Sequence, residues 1–383
     1  MQFHLATVSS MASQLGFLSA FTTHATSSKH RSRNLIIIFQ YPTPTDQKSR
    51  LYLSRDQFLR IVKSQIDTPS KFWCLRISVR FLSFRFLLFP LFWFYAKLSY
   101  FFNFYLWQPR PKWVEDTYSL RKLRFRADFK HQKVILFGDG FLNYVSHRSP
   151  PWLVKKSSQI ASTSFNPAIE VIASYHLFSL TPIQDPVSTS ISRDVIIQLL
   201  LRAIKLNHEL RGDLNVLFSD FDSLDILLYP YTTFYETGRS SLEAEVNMYI
   251  DYLLDNITDL PSSFMLKPHP ATRLDKFSRF VELLAKSLPS HKLIGISENQ
   301  SLSMSTLASI PIECIVVFLV EVMRLLPSRI TVISCSTASL SVKTLYPQIQ
   351  VKQAFGYSLV SKYINDEFVR PRLDQEQLLS HYY

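Results

Sequence analysis

The stretch NLIIIFQ, residues 34–40, sets the first constraint on the fold. Leu35 to Phe39 are apolar without a break, and three of the five are isoleucine. A run so short and so β-branched reads as a strand. It has no polar alternation, so both of its faces must be covered, which is the habit of strands in parallel sheets. HQKVILFGDG (131–140) repeats the pattern and ends in a turn. Parallel strands need a crossover between them, usually a helix.

The chain supplies those helices. At the start, Phe3–Val8 reads as a strand, and Ser9 with Ser10 cap the helix that follows. Residues 192–210 form a helix with Ser192 as its cap, and RGDLN (211–215) then breaks the pattern. LDILLYPYT (224–232) opens a second run of βα units. Helix 241–257 carries Leu242, Val246, Tyr249, Ile250, Leu253 and Leu254 on one face. Strand FMLKPHP, helix LDKFSRFVELLAKSL, strand KLIGIS, helix IECIVVFLVEVMRLL, strand RITVIS and CSTASLSVKTLY follow in order. The fold class expected is α/β with parallel sheets, in two domains spanning 1–215 and 216–383. An aromatic helical segment, about 72–107, belongs to the first.

A length of 383 residues fits two cores better than one. There are only 7 glycines, so long Gly-rich phosphate loops are excluded. A net charge of +12 points to anionic ligands or an anionic membrane surface. No basic tract is interleaved with stacking aromatics in the manner of a nucleic-acid module, so nucleic acid is not expected as a partner. Cys74, Cys314 and Cys335 have no metal-ligand spacing and read as reduced thiols of a cytoplasmic protein. Residues 85–107 are rich in Phe, Tyr and Trp, but the unbroken apolar run ends at Lys97. That is short of the roughly 20 residues a spanning helix needs. Buried helices, or contact with the inner face of a membrane, are the readings left. RKLRFR (121–126) reads as a solvated basic face in preference to an acceptor site.

Three turns carry the candidate chemistry, each directly after a strand. In FGDGFLNY, Gly138 and Gly140 flank Asp139 and let the backbone present a carboxylate, although Asp-Gly is also an ordinary turn pair. In KPHP, Pro268 and Pro270 stiffen the chain around His269, with Lys267 adding charge; a surface histidine on a rigid loop is the plainer alternative. In VISCSTASL, Ser334, Ser336 and Thr337 place hydroxyls where a helix begins, as an N-cap or as an anion site. Ligands in parallel α/β sheets bind beyond the carboxyl ends of the strands, where all three turns lie.

Asp turn, His-Pro and Ser-Ser/Thr in that order resemble the bacterial sialyltransferases of GT-B fold, most closely the polysialyltransferase-like group. TVSSMASQLGFLSAF, YETGRSSLEAEVNMYIDYLL, IPIEC and SCSTASLSVKTLY share in the resemblance. It implies two Rossmann-like domains facing each other across a cleft. It also implies an inverting glycosyltransferase that moves a sialic acid from a CMP-activated donor to a glycan or glycolipid hydroxyl, as in capsule or lipopolysaccharide synthesis. Carried onto this chain, Asp139 is the base and His269 assists the phosphate leaving group. Lys267, Pro270, Glu313, Ser334, Ser336 and Thr337 surround the donor. No cofactor and no metal are expected. The family's acidic turn has two acids before glycine, whereas Gly138 takes the first place here. A transferase for another CMP-sugar such as Kdo, or a non-catalytic glycan-binding scaffold of the same fold, stays open beside this reading.

Overall fold

The computed structural model describes residues 2–8, 11–27, 33–40, 53–64, 72–77, 112–115, 132–137, 169–177, 188–219, 221, 225–230, 232–256, 263–290, 292–294, 304–334, 338–353 and 360–364. The chain is α/β and divides into two compact units. Unit 1 is Met1–Asp46, Tyr52–Asn143 and Trp152–Leu199; unit 2 is Gln47–Leu51, Tyr144–Pro151 and Leu200–Tyr383.

Unit 1 holds strands β1 (Gln2–Val8), β2 (Arg33–Gln40), β3 (Phe72–Ile77), β4 (Lys112–Glu115), β5 (Gln132–Phe137), β6 (Ile169–His176) and β7 (Ser188–Ser190). Their order is β3-β2-β1-β4-β5-β6-β7, and every pairing is parallel. Helices α1 (Met11–Ser27) and α2 (Arg55–Ser64) belong to the same unit. Helix α1 lies over the sheet through Phe17, Phe21 and His24, which share one face of a 3.6-residue helix. Phe17 meets Trp113 edge-on at 5.3 Å and Phe137 at 5.8 Å, and packs on Phe58 of α2 at 6.0 Å. Trp113 in turn stacks on Tyr175 at 6.1 Å, whose hydroxyl lies 2.6 Å from His24 Nδ1. Buried Gln14 bonds both backbone groups of Leu53, which fixes the chain entering α2 to α1.

Helix α3 (Arg193–Leu206) contains the division between the units, which falls between Leu199 and Leu200, and α4 (His208–Leu217) follows in unit 2. Then follow β8 (Ile226–Pro230), α5 (Leu242–Asn256), β9 (Ser263–Lys267), α6 (Leu274–Ser287), β10 (Lys292–Leu293), α7 (Met304–Ser309), α8 (Ile312–Val317), β11 (Ile330–Ser334), α9 (Ala338–Leu345) and β12 (Gln350–Gln353). The sheet order is β10-β9-β8-β11-β12, again all parallel. The chain winds outward from β8 in one direction and then returns to add β11 on the other side. The order reverses between β8 and β11, and that reversal leaves a crevice beyond the strands' carboxyl ends. Leu227, Phe264, Leu266 and Ile333 join the core cluster beneath α5 and α6. Leu228, Met265 and Val332 alternate to the opposite face and are equally buried.

The two parallel α/β sheets agree with the sequence reading, and three local expectations are corrected. Phe72–Ile77 is a strand, not the start of an aromatic helix. It pairs along β2 from Leu35↔Phe72 to Gln40↔Ile77 and satisfies backbone groups that a helix would leave open at that edge. Residues 78–107 lie outside the described residues. RGDLN does not end the helical region. Asn207 starts a new helix by accepting a hydrogen bond from the Leu210 N–H at 3.1 Å. Buried Leu210, Leu214 and Leu217 then form its apolar stripe, and Gly212 is tolerated inside it. The helix starting at Ile312 is α-helical only to Val317; Phe318–Val322 is a π turn, closed by Met323 N–H to Phe318 O at 3.0 Å. Ser192 does serve as a cap, its Oγ accepting from Asp194 N–H at 3.3 Å.

Among the described residues, no helix is long and apolar enough to cross a membrane. Phe17→Ala is expected to lower the stability of unit 1 by about 3–5 kcal/mol, because the rings of Phe21, Phe58, Trp113 and Phe137 lose a common neighbour. Tryptophan occurs only at positions 73, 93, 107, 113 and 152, so urea denaturation followed by tryptophan fluorescence reads this loss without unit 2.

Candidate active site

The KPHP segment leaves β9 at the carboxyl edge of the unit 2 sheet, next to β8. His269 to Thr272 form one tight turn, with Thr272 N–H donating to His269 O at 2.8 Å. Pro270 occupies the second position of that turn, where its fixed φ belongs. The Ala271 N–H donates to His269 Nδ1 at 3.1 Å. A ring whose Nδ1 accepts carries its proton on Nε2 when neutral. The corner therefore fixes both the direction and the tautomer of an exposed imidazole.

Lys267 turns the other way. It is buried, and its Nζ donates to Pro268 O at 2.6 Å and to Ala308 O at 3.1 Å. Ala308 lies in the last turn of α7, whose carbonyls have no intrahelical partner, and a lysine there is well placed. Burial pushes the Lys267 amine down to about 7, against an opposing pull from the Glu313 carboxylate. Neutral, the amine has two N–H donors and two carbonyls to receive them. Glu313, in the first turn of α8, accepts from the Ser341 hydroxyl of α9 at 2.6 Å. Lys267, Ala308, Glu313 and Ser341 thus join four segments near one end of the sheet. Burial also pushes the thiol of free Cys314 well up, so it is an unreactive packing residue.

Of the residues singled out in the sequence, Lys267, His269, Pro270 and Glu313 are gathered in this region. Ser334 ends β11, the strand on the far side of β8. Ser336 and Thr337 lie outside the described residues, between β11 and α9. Gly138, Asp139 and Gly140 also lie outside them, directly after β5 of unit 1.

A second cluster behind the corner was not legible as chemistry in the sequence. Lys276 on α6 is wholly buried, and its ammonium donates to Thr232 O at 2.9 Å, Glu236 Oε2 at 2.8 Å and Glu245 Oε1 at 3.1 Å. Those three acceptors use all of its donors. Glu245, also buried, further accepts from the hydroxyls of Thr232 and Tyr249 and from the Tyr235 N–H at 2.6 Å. Burial acts to raise the Glu245 pKa, but Lys276 and these hydrogen bonds outweigh it and hold the carboxylate below its ordinary value. The signal lay in the helix pattern. Glu245 falls within the stripe of Leu242 and Tyr249, and Lys276 lines up with Phe280 and Leu284, so each is a charge on an apolar face.

No protein-family pattern matches the sequence, and no curated protein matches it. Solved structures of similar chain trace do exist. A sialyltransferase from Photobacterium damselae, residues 113–497 corresponding to its GT-B domain, is 12% identical, with a TM-score of 0.44 over 100% of this chain and 97% of that one. The 2,6-sialyltransferase of Photobacterium sp. JT-ISH-224, solved with CMP and lactose, is 10% identical, with a TM-score of 0.47 over 100% of this chain and 77% of its own. The UDP-GlcNAc 2-epimerase of Methanocaldococcus jannaschii is 9% identical, with a TM-score of 0.43 over 100% and 99%. Function must be argued from this chain's own residues.

Lys267 gives the region a pH signature. A lysine with a lowered pKa is charged in both folded and unfolded chains below about 7, so the fold bears the full cost of its burial there. As pH rises toward the ordinary lysine value, the folded chain releases the proton first and the cost fades. Relative to the parent, Lys267→Met is therefore expected to be more favourable to stability at about pH 6 than at about pH 10 in urea titrations read by far-UV circular dichroism. Equal differences at both values would contradict a neutral buried amine.

Proposed function

We propose that the protein is an inverting glycosyltransferase that moves a sugar of the sialic acid class from a CMP-activated donor to a glycan hydroxyl. The observation that carries this reading is the His269 corner, which holds an imidazole at the carboxyl end of a central parallel strand with Nδ1 already engaged. A CMP-sugar leaves as a phosphate monoester with a single phosphate. The Nε2–H of His269 is suited to donate to that phosphate as negative charge grows on it. Ser336 and Thr337, which precede α9 in the sequence, are the hydroxyl residues assigned to the same phosphate in this reading. Glu313, already held by Ser341, is the group for a nucleotide ribose hydroxyl.

In the reaction, the acceptor hydroxyl gives its proton to the carboxylate of Asp139, and its oxygen forms the new bond to the anomeric carbon. The bond from that carbon to the phosphate oxygen breaks on the opposite face, and CMP departs with the electron pair. Asp139 is the one acid of its turn, since Gly138 precedes it. With one phosphate to neutralise, protein donors suffice for the leaving group.

Incubation with CMP-sialic acid, CMP-Kdo and UDP- and GDP-sugars, followed by product analysis, tests the donor. Turnover of a CMP-sugar is expected. His269→Ala and Asp139→Asn are each expected to lower its rate at least about a hundredfold. Use of a UDP- or GDP-sugar instead would overturn the donor, and equal rates in all three proteins would remove both residues from the mechanism. No turnover with any donor, but retained glycan binding, would make the chain a scaffold.

A further inference from the structure

Helix α6 starts immediately after the histidine corner, and its N-terminus is built in an unusual way. Its cap residue, Arg273, makes no side-chain capping bond. In an ordinary capping box, a glutamate at the third helical position reaches back to the cap residue's N–H. Here that position is Lys276, which has no acceptor to offer. Its buried ammonium instead binds Glu236 from the loop after β8, and the other oxygen of Glu236 accepts the Arg273 N–H at 3.0 Å. The box is thus divided between two segments, with the lysine recruiting the carboxylate.

The loop that supplies Glu236 is itself firmly shaped. Gly238 has φ +71, which other residues rarely adopt, and the turn closes through Thr237 N–H to Thr233 O and Arg239 N–H to Phe234 O. Tyr235 beside it donates to Asp275 at 2.9 Å and lies under the Arg273 guanidinium at 4.8 Å.

We propose that Glu236 is a positioning residue for His269: by holding the Arg273 N–H, it sets the end of the 269–272 turn and so the direction and tautomer of the imidazole. The inference rests on the reading of His269 as the group that faces the phosphate. Glu236 makes no contact with substrate. It acts through four residues of backbone, on the principle that small misplacements of an aligned donor are costly.

The test uses the full chain with ¹⁵N-labelled histidine, the His269 signals being identified by their loss in His269→Ala. In the parent protein the ring is expected almost wholly as the Nε2–H form. In Glu236→Ala a mixture of tautomers is expected. Turnover of the CMP-sugar that the parent uses should fall about 10–100-fold. The donor KM should stay within about threefold. Arg273→Pro and Arg273→Ala both lose the guanidinium with its contacts to Asp275 and Tyr235, but only proline also removes the N–H that Glu236 holds, from a backbone already at φ −77. Proline should reproduce the loss and alanine should not, which decides the matter even if Glu236→Ala fails to fold. Unchanged tautomer and turnover in Arg273→Pro would overturn the proposal. If the parent turns over no CMP-sugar, the functional reading fails, while the tautomer comparison still decides the role of Glu236.

Discussion

An ammonium with no exposure to water organises unit 2. Lys276 is buried, and an unpaired charge there would be prohibitive. Its three donors must find acceptors, and they find them on the loop after β8 and on α5. The pair with Glu245 is no strong source of stability, because desolvation of both ions offsets their attraction. Its value is exclusion of alternatives: a chain that misplaces the loop or either helix strands a charge, at a cost of about 3–5 kcal/mol. The loop from Thr232 to Ser240 is short of regular structure, yet it takes a single shape for this reason.

The same bonds explain why a surface histidine is held so firmly. A histidine with both ring nitrogens in water would sample two tautomers and several rotamers. His269 begins a proline turn, donates nothing through Nδ1, and accepts there from the next-but-one residue. The turn's far end adjoins Arg273, the cap residue of a helix, whose N–H is held from elsewhere. Flexibility has been removed from both ends of a four-residue segment while the ring itself stays exposed.

The architecture was legible because β-branched runs such as Leu35–Phe39 and the buried Ser263–Lys267 announce parallel strands directly. Most of the helix face from Leu242 to Leu254 was legible for a similar reason, since α5 buries Val246, Tyr249, Ile250 and Leu253, but Leu254, expected on that face, is exposed because it lies at its margin. Phe72–Ile77 was not legible, because six residues, four of them aromatic or aliphatic, carry no period long enough to separate strand from buried helix. Continuation of the helix past Gly212 depended on one side chain, Asn207, bonding to a backbone group three residues on. At the site, the prolines around His269 announced a stiff corner, but nothing local announced its tautomer. The partners of Lys276 come from positions up to 44 residues away, a distance at which one sequence says nothing about proximity.

The winding of the two sheets imposes an order on their assembly. Leu5 lies beside Lys112, and Ile226 lies beside Ile330, so the first strand of each unit gains its second neighbour only after a long interval of chain. At about 5–20 residues per second, a ribosome takes roughly 5–20 seconds to deliver that neighbour. Meanwhile one edge of the founding strand stays without its final partner, open to any other extended segment nearby. Such late, non-local closure makes for slow folding.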